Sequence, residues 1–364
     1  MIKRTITSIF ILLFLIAPFS LQAEDGYRAW LRYDKIENEK VLNAYRSQFT
    51  NVVFKGDSPT FRAAQKELKK GLFGLLDTNI SFDNSSFQNG SLLIGTPSSL
   101  SDFEELNLEP LLQYSGNEGF VIQKHEIKGK VITLVTANTD IGVMYGVFHL
   151  LRMMQTHQYL EGVSVSTSPK IEQRILNHWD NLNRLVERGY AGLSLWDWGR
   201  LPEHEDPRYT DYARLNASMG INGTVLNNVN ADPRILTNEF LEKVEVLANI
   251  FRPYGIKVYL SVNFQSPIEV GNLETADPLA PEVQKWWKEK AAEIYERIPD
   301  FGGFLVKADS EGQPGPFKYN RTHAEGANML ADALQPHNGL LIWRAFVYSP
   351  EQTDRFREAY DEFV

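Results

Sequence analysis

The stretch GFLVKADSEGQPGP, Gly303–Pro316, carries the reading of the chain. The apolar run Phe301–Val306 leads into Lys307, Asp309 and Glu311 and then into glycine and proline. A short apolar run that stops at a turn reads as a buried strand. Side chains alternate along a strand, so the three charged residues are expected on one face. Charges on that face are costly unless a partner or a charged ligand meets them. The glycine–proline run predicts a rigid turn that holds Glu311 over a cleft.

The same unit of strand, loop and helix recurs on both sides of this stretch. Strands are expected at Arg174–Trp179, Gly223–Asn228, Lys257–Asn263, Gly303–Asp309 and Leu340–Val347. The helices between them are expected at Tyr209–Met219, Glu239–Phe251, Glu282–Ile298 and Thr322–Leu334, with one more from about Pro350. Such alternation predicts a parallel sheet with helical crossovers. Charged and aromatic residues at the strand ends favour a barrel over an open doubly wound sheet, and no strand is followed by Gly-x-Gly-x-x-Gly. About five units are present where a (β/α)8 TIM barrel needs eight. The expected architecture is therefore α/β with an incomplete barrel over residues 166–364, in a sequence that reads as part of a longer protein. An open five-stranded sheet, complete as it stands, is the alternative.

Ahead of that region, residues 24–165 read as a small N-terminal α/β sandwich domain. Lys66–Leu76 has helical spacing, Ser91–Gly95 is a short apolar strand, and Phe120–Ile122 pairs with Val131–Val135 around Lys128-Gly129-Lys130. Thr139–Met154 reads as a mostly apolar helix with its cap near Thr139. His157–Lys170 reads as a linker or a short connecting strand. Residues 1–23 read as a signal peptide: a basic start at Lys3 and Arg4, an apolar run Ile9–Ile16, and a small residue, Ala23, at the expected cut. The run is short of the roughly 20 residues a membrane span needs, so a secreted or periplasmic protein with no span after cleavage is expected.

Composition narrows the chemistry. A net charge of -9 argues against nucleic acid as a partner. With no cysteine in 364 residues, the fold has no disulfides, and a thiol nucleophile or a thiolate metal site is excluded. The histidines show no metal spacing, and there is neither a Gly-x-Ser-x-Gly elbow nor a P-loop, so no metal and no cofactor are expected.

Three groups of residues suggest a sugar site. Glu311 is the candidate general acid, because glycoside cleavage needs a carboxylic acid whose pKa the surroundings raise. A solvated loop glutamate is the plain alternative. Lys307 and Arg344, the latter in the apolar run Ile342–Phe346, put two cations on neighbouring strand ends and suit an anionic substrate group. A structural ion pair of Arg344 with Asp309 or Glu311 is the alternative, and the residues alone lean toward it. Six of the seven tryptophans follow residue 170. Trp179 reads as a ring suited to a sugar face, and Trp196 and Trp198 as either sugar-facing or loop packing; Trp286 and Trp287 lie on an expected helix and read as packing.

These residues lie in long motifs. GGFLVKADSEGQPGP, RTHAEGANMLADAL, LIWRAFVY, EDGYRAWLRY, LNHWDNL, GLSLWDWGRLP and INGTVLNNVNA together resemble the α-glucuronidases of glycoside hydrolase family 67, from about Glu24 to Val364. The resemblance implies an inverting, metal-free enzyme. It would release glucuronic acid, or its 4-O-methyl form, α-1,2-linked to xylose in xylan-derived aldouronic oligosaccharides. It implies Glu311 as general acid and Lys307 and Arg344 as the grip on the uronic carboxylate, with Asp309 beside them as a further substrate-binding residue. Trp179 would line the sugar, and Val229 would lie beside its O4. The family's base carboxylates and its helical C-terminal domain, which often forms a homodimer, would lie past Val364. An inactive secreted sugar-binding fragment is therefore the alternative function. A barrel lyase with a Schiff base at Lys307 is a more distant one.

Overall fold

The computed structural model describes residues 24–344, apart from 85, 86 and 104. The expected signal segment, the end of the fifth strand at Ala345–Val347 and the helix near Pro350 lie outside the described residues. The rest falls into two compact units, one ending at Arg32 and one beginning at Tyr33. In the first, the Ala29 amide donates to the Gly26 carbonyl at 3.0 Å and closes a turn.

The second unit begins with α1 (Glu39–Gln48), β1 (Asn51–Phe54), α2 (Pro59–Leu76), β2 (Ser81–Phe82), β3 (Ser91–Gly95) and α3 (Leu108–Leu112). It continues with β4 (Phe120–Ile127), β5 (Lys130–Thr136), α4 (Asp140–Gln155) and β6 (Ser164–Thr167). These strands form one mixed sheet in the order β2-β1-β3-β5-β4-β6. β4 runs antiparallel to β5 and β6, while the others pair in parallel. Thr139 caps α4 by accepting from the Gly142 amide. Gly71 lets α2 and α4 pack closely, since a Cβ there would lie 2.5 Å from Leu151. Residues 164–167, expected as linker or strand, form the edge strand β6.

The chain then forms β7 (Ile175–Asn177), α5 (Pro207–Ser218), β8 (Gly223–Val225), α6 (Asn238–Phe251), β9 (Lys257–Val262) and α7 (Ser266–Glu269). α8 (Pro281–Arg297), β10 (Gly303–Val306), α9 (His323–Leu334) and β11 (Leu340–Trp343) follow. These five strands pair in sequence order, all parallel, in a curled sheet resembling half a barrel. β10 is buried throughout, as is β9 past Lys257, because a parallel sheet is covered on both faces. One face holds a cluster of Val225, Val229, Tyr259 and Leu305, with Ile175 and Ile342 packed against it. Gly302 makes room for Tyr259, whose ring would lie 2.2 Å from a Cβ at that position.

From β7 to β10 each strand is shorter than expected. Regular pairing stops at Asn177, Val225 and Val306, and the residues beyond leave the sheet as loops. Among the described residues no helix is long and apolar enough to cross a membrane.

Candidate active site

A parallel sheet brings all its carboxyl ends to one edge, and this edge carries the candidate residues. Trp179 follows β7 by two residues and Val229 follows β8 by four; Lys307 directly follows β10, and Arg344 directly follows β11.

Past Val306 the alternation fails. Asp309 and Glu311 both take left-handed backbone angles, with φ of 47° and 50°, so the segment coils instead of extending. The three charged side chains therefore do not share one strand face. Asp309 turns onto its own loop: its carboxylate accepts the Phe317 amide at 3.1 Å and lies where a Cβ on Gly315 would fall. That contact folds the Gly312–Pro316 turn back on itself.

Lys307 and Glu311 do meet. The Lys307 ammonium donates to Glu311 Oε2 at 2.5 Å and to Asn230 Oδ1 at 2.8 Å. The lysine side chain is 2% exposed and the glutamate 45%, so the pair joins a buried cation to a half-exposed anion. The hydrogen bond and charge of Lys307 hold the Glu311 carboxyl below its ordinary range, with Arg188 and Arg344 adding to the effect. The expected rise in its pKa is thus reversed, because loop coiling places an ammonium against the carboxylate. Arg344 is close enough to act on Glu311 through its charge, yet its buried Nη1 has no hydrogen-bond partner among the described residues. Its backbone amide donates to Val306 O at 3.0 Å, which seats it beside β10.

Asparagines tie this corner to the rest of the edge. Asn228 donates from its side chain to Asn181 at 3.0 Å and accepts the Asn230 amide at 2.9 Å. Asn230 in turn holds Lys307. Asn227 exchanges two bonds with the Ser261 backbone, both at 2.9 Å, and clamps β8 to β9 beyond the ladder. Sequence reasoning passed over Asn230, although the run NNVN after an apolar strand is an unusual density of uncharged hydrogen-bonding groups.

The tryptophans separate cleanly. Trp179 is 41% exposed. Trp196 is buried among Tyr209, Tyr212 and Phe251, and its indole donates to Leu226 O at 3.0 Å. Trp198 is buried beside Phe240, and Trp287 is buried against Phe304. Trp196 and Trp198 are therefore packing residues. Val229 is also buried, within the cluster on the sheet face.

The loop after β7 is anchored by polar side chains. Asp180 accepts Ser194 Oγ at 2.5 Å and lies 3.4 Å from His178 Nδ1. Burial pushes the Asp180 carboxyl up, but the hydrogen bonds from His178 and Ser194 outweigh it and leave the group below its usual range. His178 Nε2 meets Tyr212 Oη at 2.8 Å. Among the described residues no three histidine, aspartate or glutamate side chains converge as a metal site would require.

Comparison with known proteins settles the lineage. Residues 153–364 match the glycosyl hydrolase family 67 middle domain, and residues 29–150 match the glycosyl hydrolase family 67 N-terminus. The chain belongs to glycosyl hydrolase family 67. Similar family 67 relatives include a probable alpha-glucuronidase A of Aspergillus oryzae, 39% identical over 90% of this chain and 38% of that protein. Alpha-glucuronidase A of Emericella nidulans is 38% identical over 94% of this chain and 40% of its own length. An alpha-glucuronidase of Hypocrea jecorina is 36% identical over 97% of this chain and 43% of its own length. The family 67 chain thus spans about two fifths of the length of the curated relatives it matches. Among solved structures, CpGH84B aligns with a TM-score of 0.54 at 14% identity, over 86% of this chain and 51% of that one. A GH138 enzyme targeting pectin rhamnogalacturonan II aligns at 0.53 and 17%, over 81% and 35%. At such identities these two share the fold alone.

Proposed function

We propose that this chain carries the acid-donating and carboxylate-gripping part of an inverting α-glucuronidase. Its substrates would be xylan-derived aldouronic oligosaccharides bearing glucuronic acid, or the 4-O-methyl sugar, α-1,2-linked to xylose. The observation that carries the reading is the corner where Glu311 touches Lys307 within electrostatic reach of Arg344. Two cations at neighbouring strand ends suit a uronic carboxylate, and Glu311 is the exposed carboxyl beside them. Trp179 offers an exposed ring, Val229 an apolar wall, and Asp309 holds the loop that bears Glu311. The supporting frame is the half-barrel sheet, read as about five units of a (β/α)8 barrel over residues 166–364. The N-terminal α/β domain covers 24–165, and a secretory signal covers 1–23. On this reading the base lies past Val364, in a full-length form able to form homodimers.

One observation favours a second reading, a secreted sugar-binding fragment without turnover: Lys307 holds Glu311 in its ionised form. Calorimetry and product analysis separate the two. Glucuronic acid is expected to bind this chain at least ~10-fold more tightly than glucose, about 1.4 kcal/mol for one charge-assisted contact set. Equal affinities overturn the carboxylate grip. Release of glucuronic acid from aldotriouronic acid by residues 24–364 alone would rule out the fragment reading and a base past Val364. Proton NMR of the first-formed anomer released by the full-length form reads the stereochemistry, and the β-anomer is expected.

A further inference from the structure

We propose that the uronate of the substrate takes Lys307 away from Glu311, so that the acid is released for protonation only when a uronic sugar occupies the site. This rests on the functional reading above and adds to it a reason why the carboxylate matters for chemistry as well as for binding.

The geometry sets up an exchange of partners. The Lys307 side chain is 2% exposed and held from behind by Asn230 at 2.8 Å, so the ammonium stays where it is. Glu311 is 45% exposed on a coiled loop, so of the two it is the member with solvent to turn into. Beside them, Arg344 has a buried guanidinium nitrogen with no hydrogen-bond partner among the described residues. Leaving such a donor unsatisfied is unfavourable, and a carboxylate is the acceptor that suits it. A uronate lodged between Arg344 and Lys307 would satisfy that nitrogen and compete with Glu311 for the same ammonium.

Two carboxylates drawn to one ammonium repel each other, which disfavours the anionic form of one of them. Lys307 above all, with Arg188 and Arg344, acts on Glu311 with positive charge and outweighs burial in favouring its ionised form. With Lys307 and Arg344 engaged by the uronate, Glu311 keeps the exposed Arg188 and gains a negative neighbour. The balance is simple. Lys307 remains an ammonium, no covalent bond changes, and Glu311 takes up one proton from solvent. A neutral hexose has no anion to offer and leaves the Lys307–Glu311 pair closed.

The test is calorimetry of this chain with glucuronic acid as probe, in two buffers of different ionisation enthalpy, between about pH 4 and pH 7, the range in which a carboxyl released from a cation titrates. Net proton uptake on glucuronate binding is expected, growing toward the acid end of that range, with affinity falling as pH rises. Glu311→Gln, isosteric at a half-exposed position, should abolish the uptake. It should also flatten the pH dependence and bind glucuronate at least ~3-fold more tightly, since the internal competitor is gone. Glucuronate binding without proton uptake, or uptake that persists in Glu311→Gln, overturns the exchange and leaves the functional reading standing. Failure of glucuronate to bind at any pH overturns both.

Discussion

His323 opens α9 with its ring buried against Phe317 at 4.6 Å and accepts the Trp343 indole N–H at 3.2 Å. Burial pushes its pKa down to about 4, well under the unfolded value near 6.5. Between those values the unfolded chain binds a proton that the folded chain refuses. Stability contributed by His323 is therefore complete above about pH 6.5 and is lost as pH falls toward 4, by up to ~1.4 kcal/mol per pH unit. Urea midpoints measured from pH 7 down to pH 4 should fall less steeply in His323→Gln, which keeps an acceptor for Trp343. Equal slopes in the two proteins would refute the assignment. Single residues were unevenly legible in the sequence. Lys307 and Glu311 could be named because charges at the end of an apolar strand are conspicuous. Their direct pairing could not, because it depends on left-handed angles at Asp309 and Glu311 that no residue type there announces. A buried tryptophan and an exposed one look alike in sequence, so Trp196 and Trp179 parted only once burial was known.

At the scale of elements, β10 is the pivot, with β9 on one side and β11 on the other. Gly303 lets β11 in: its φ is +135°, and a Cβ there would lie 1.9 Å from Leu340 O. Gly303→Ala combines a forbidden backbone angle with a clash against the neighbouring strand and should destabilise by well over ~1 kcal/mol. Gly312→Ala is the matched control, with φ +77° but nothing within 4 Å of the new methyl group, and should cost no more than ~1 kcal/mol. Urea unfolding of both variants decides the point; equal losses would mean that the close approach of β11 is unimportant. The repeat of strand and helix was readable because helices with amphipathic spacing alternate with apolar runs. β1 was not. Asn51–Phe54 is four residues long and entirely buried, too short to display a period, and its place between β2 and β3 is fixed by partners distant in sequence. The strand ends were overestimated because the polar residues that follow each strand, such as Asn227 and Asn228, continue to bond to neighbouring chain segments after leaving the ladder.

At the scale of the whole molecule, the mixed sheet and the parallel sheet belong to one compact unit, and a buried ion pair crosses between the helices that cover them. Glu67 of α2 receives two bonds from Arg214 of α5, at 2.7 and 2.8 Å, and a third from Tyr33 Oη at 2.7 Å. The side chains are 4% and 12% exposed. Burial works against the Arg214 charge, but Glu67 and Asp211 outweigh it and hold the guanidinium firmly protonated. Forming a buried pair yields little net stability, because desolvation offsets the attraction; breaking one is expensive, because a charge is left stranded. Glu67→Ala should therefore destabilise by ~3 kcal/mol, the low end of the usual range, since Asp211 remains at 2.5 Å as a second partner for Arg214. Glu67→Leu combined with Arg214→Met removes both charges while filling the space, and should recover most of that loss. Unfolding followed by far-ultraviolet circular dichroism in the single and double variants gives the comparison. A loss below ~1 kcal/mol in Glu67→Ala would place the pair with ordinary surface bridges. A double variant no more stable than Glu67→Ala would show that the fit of this bidentate contact, rather than the stranded charge, joins α2 to α5.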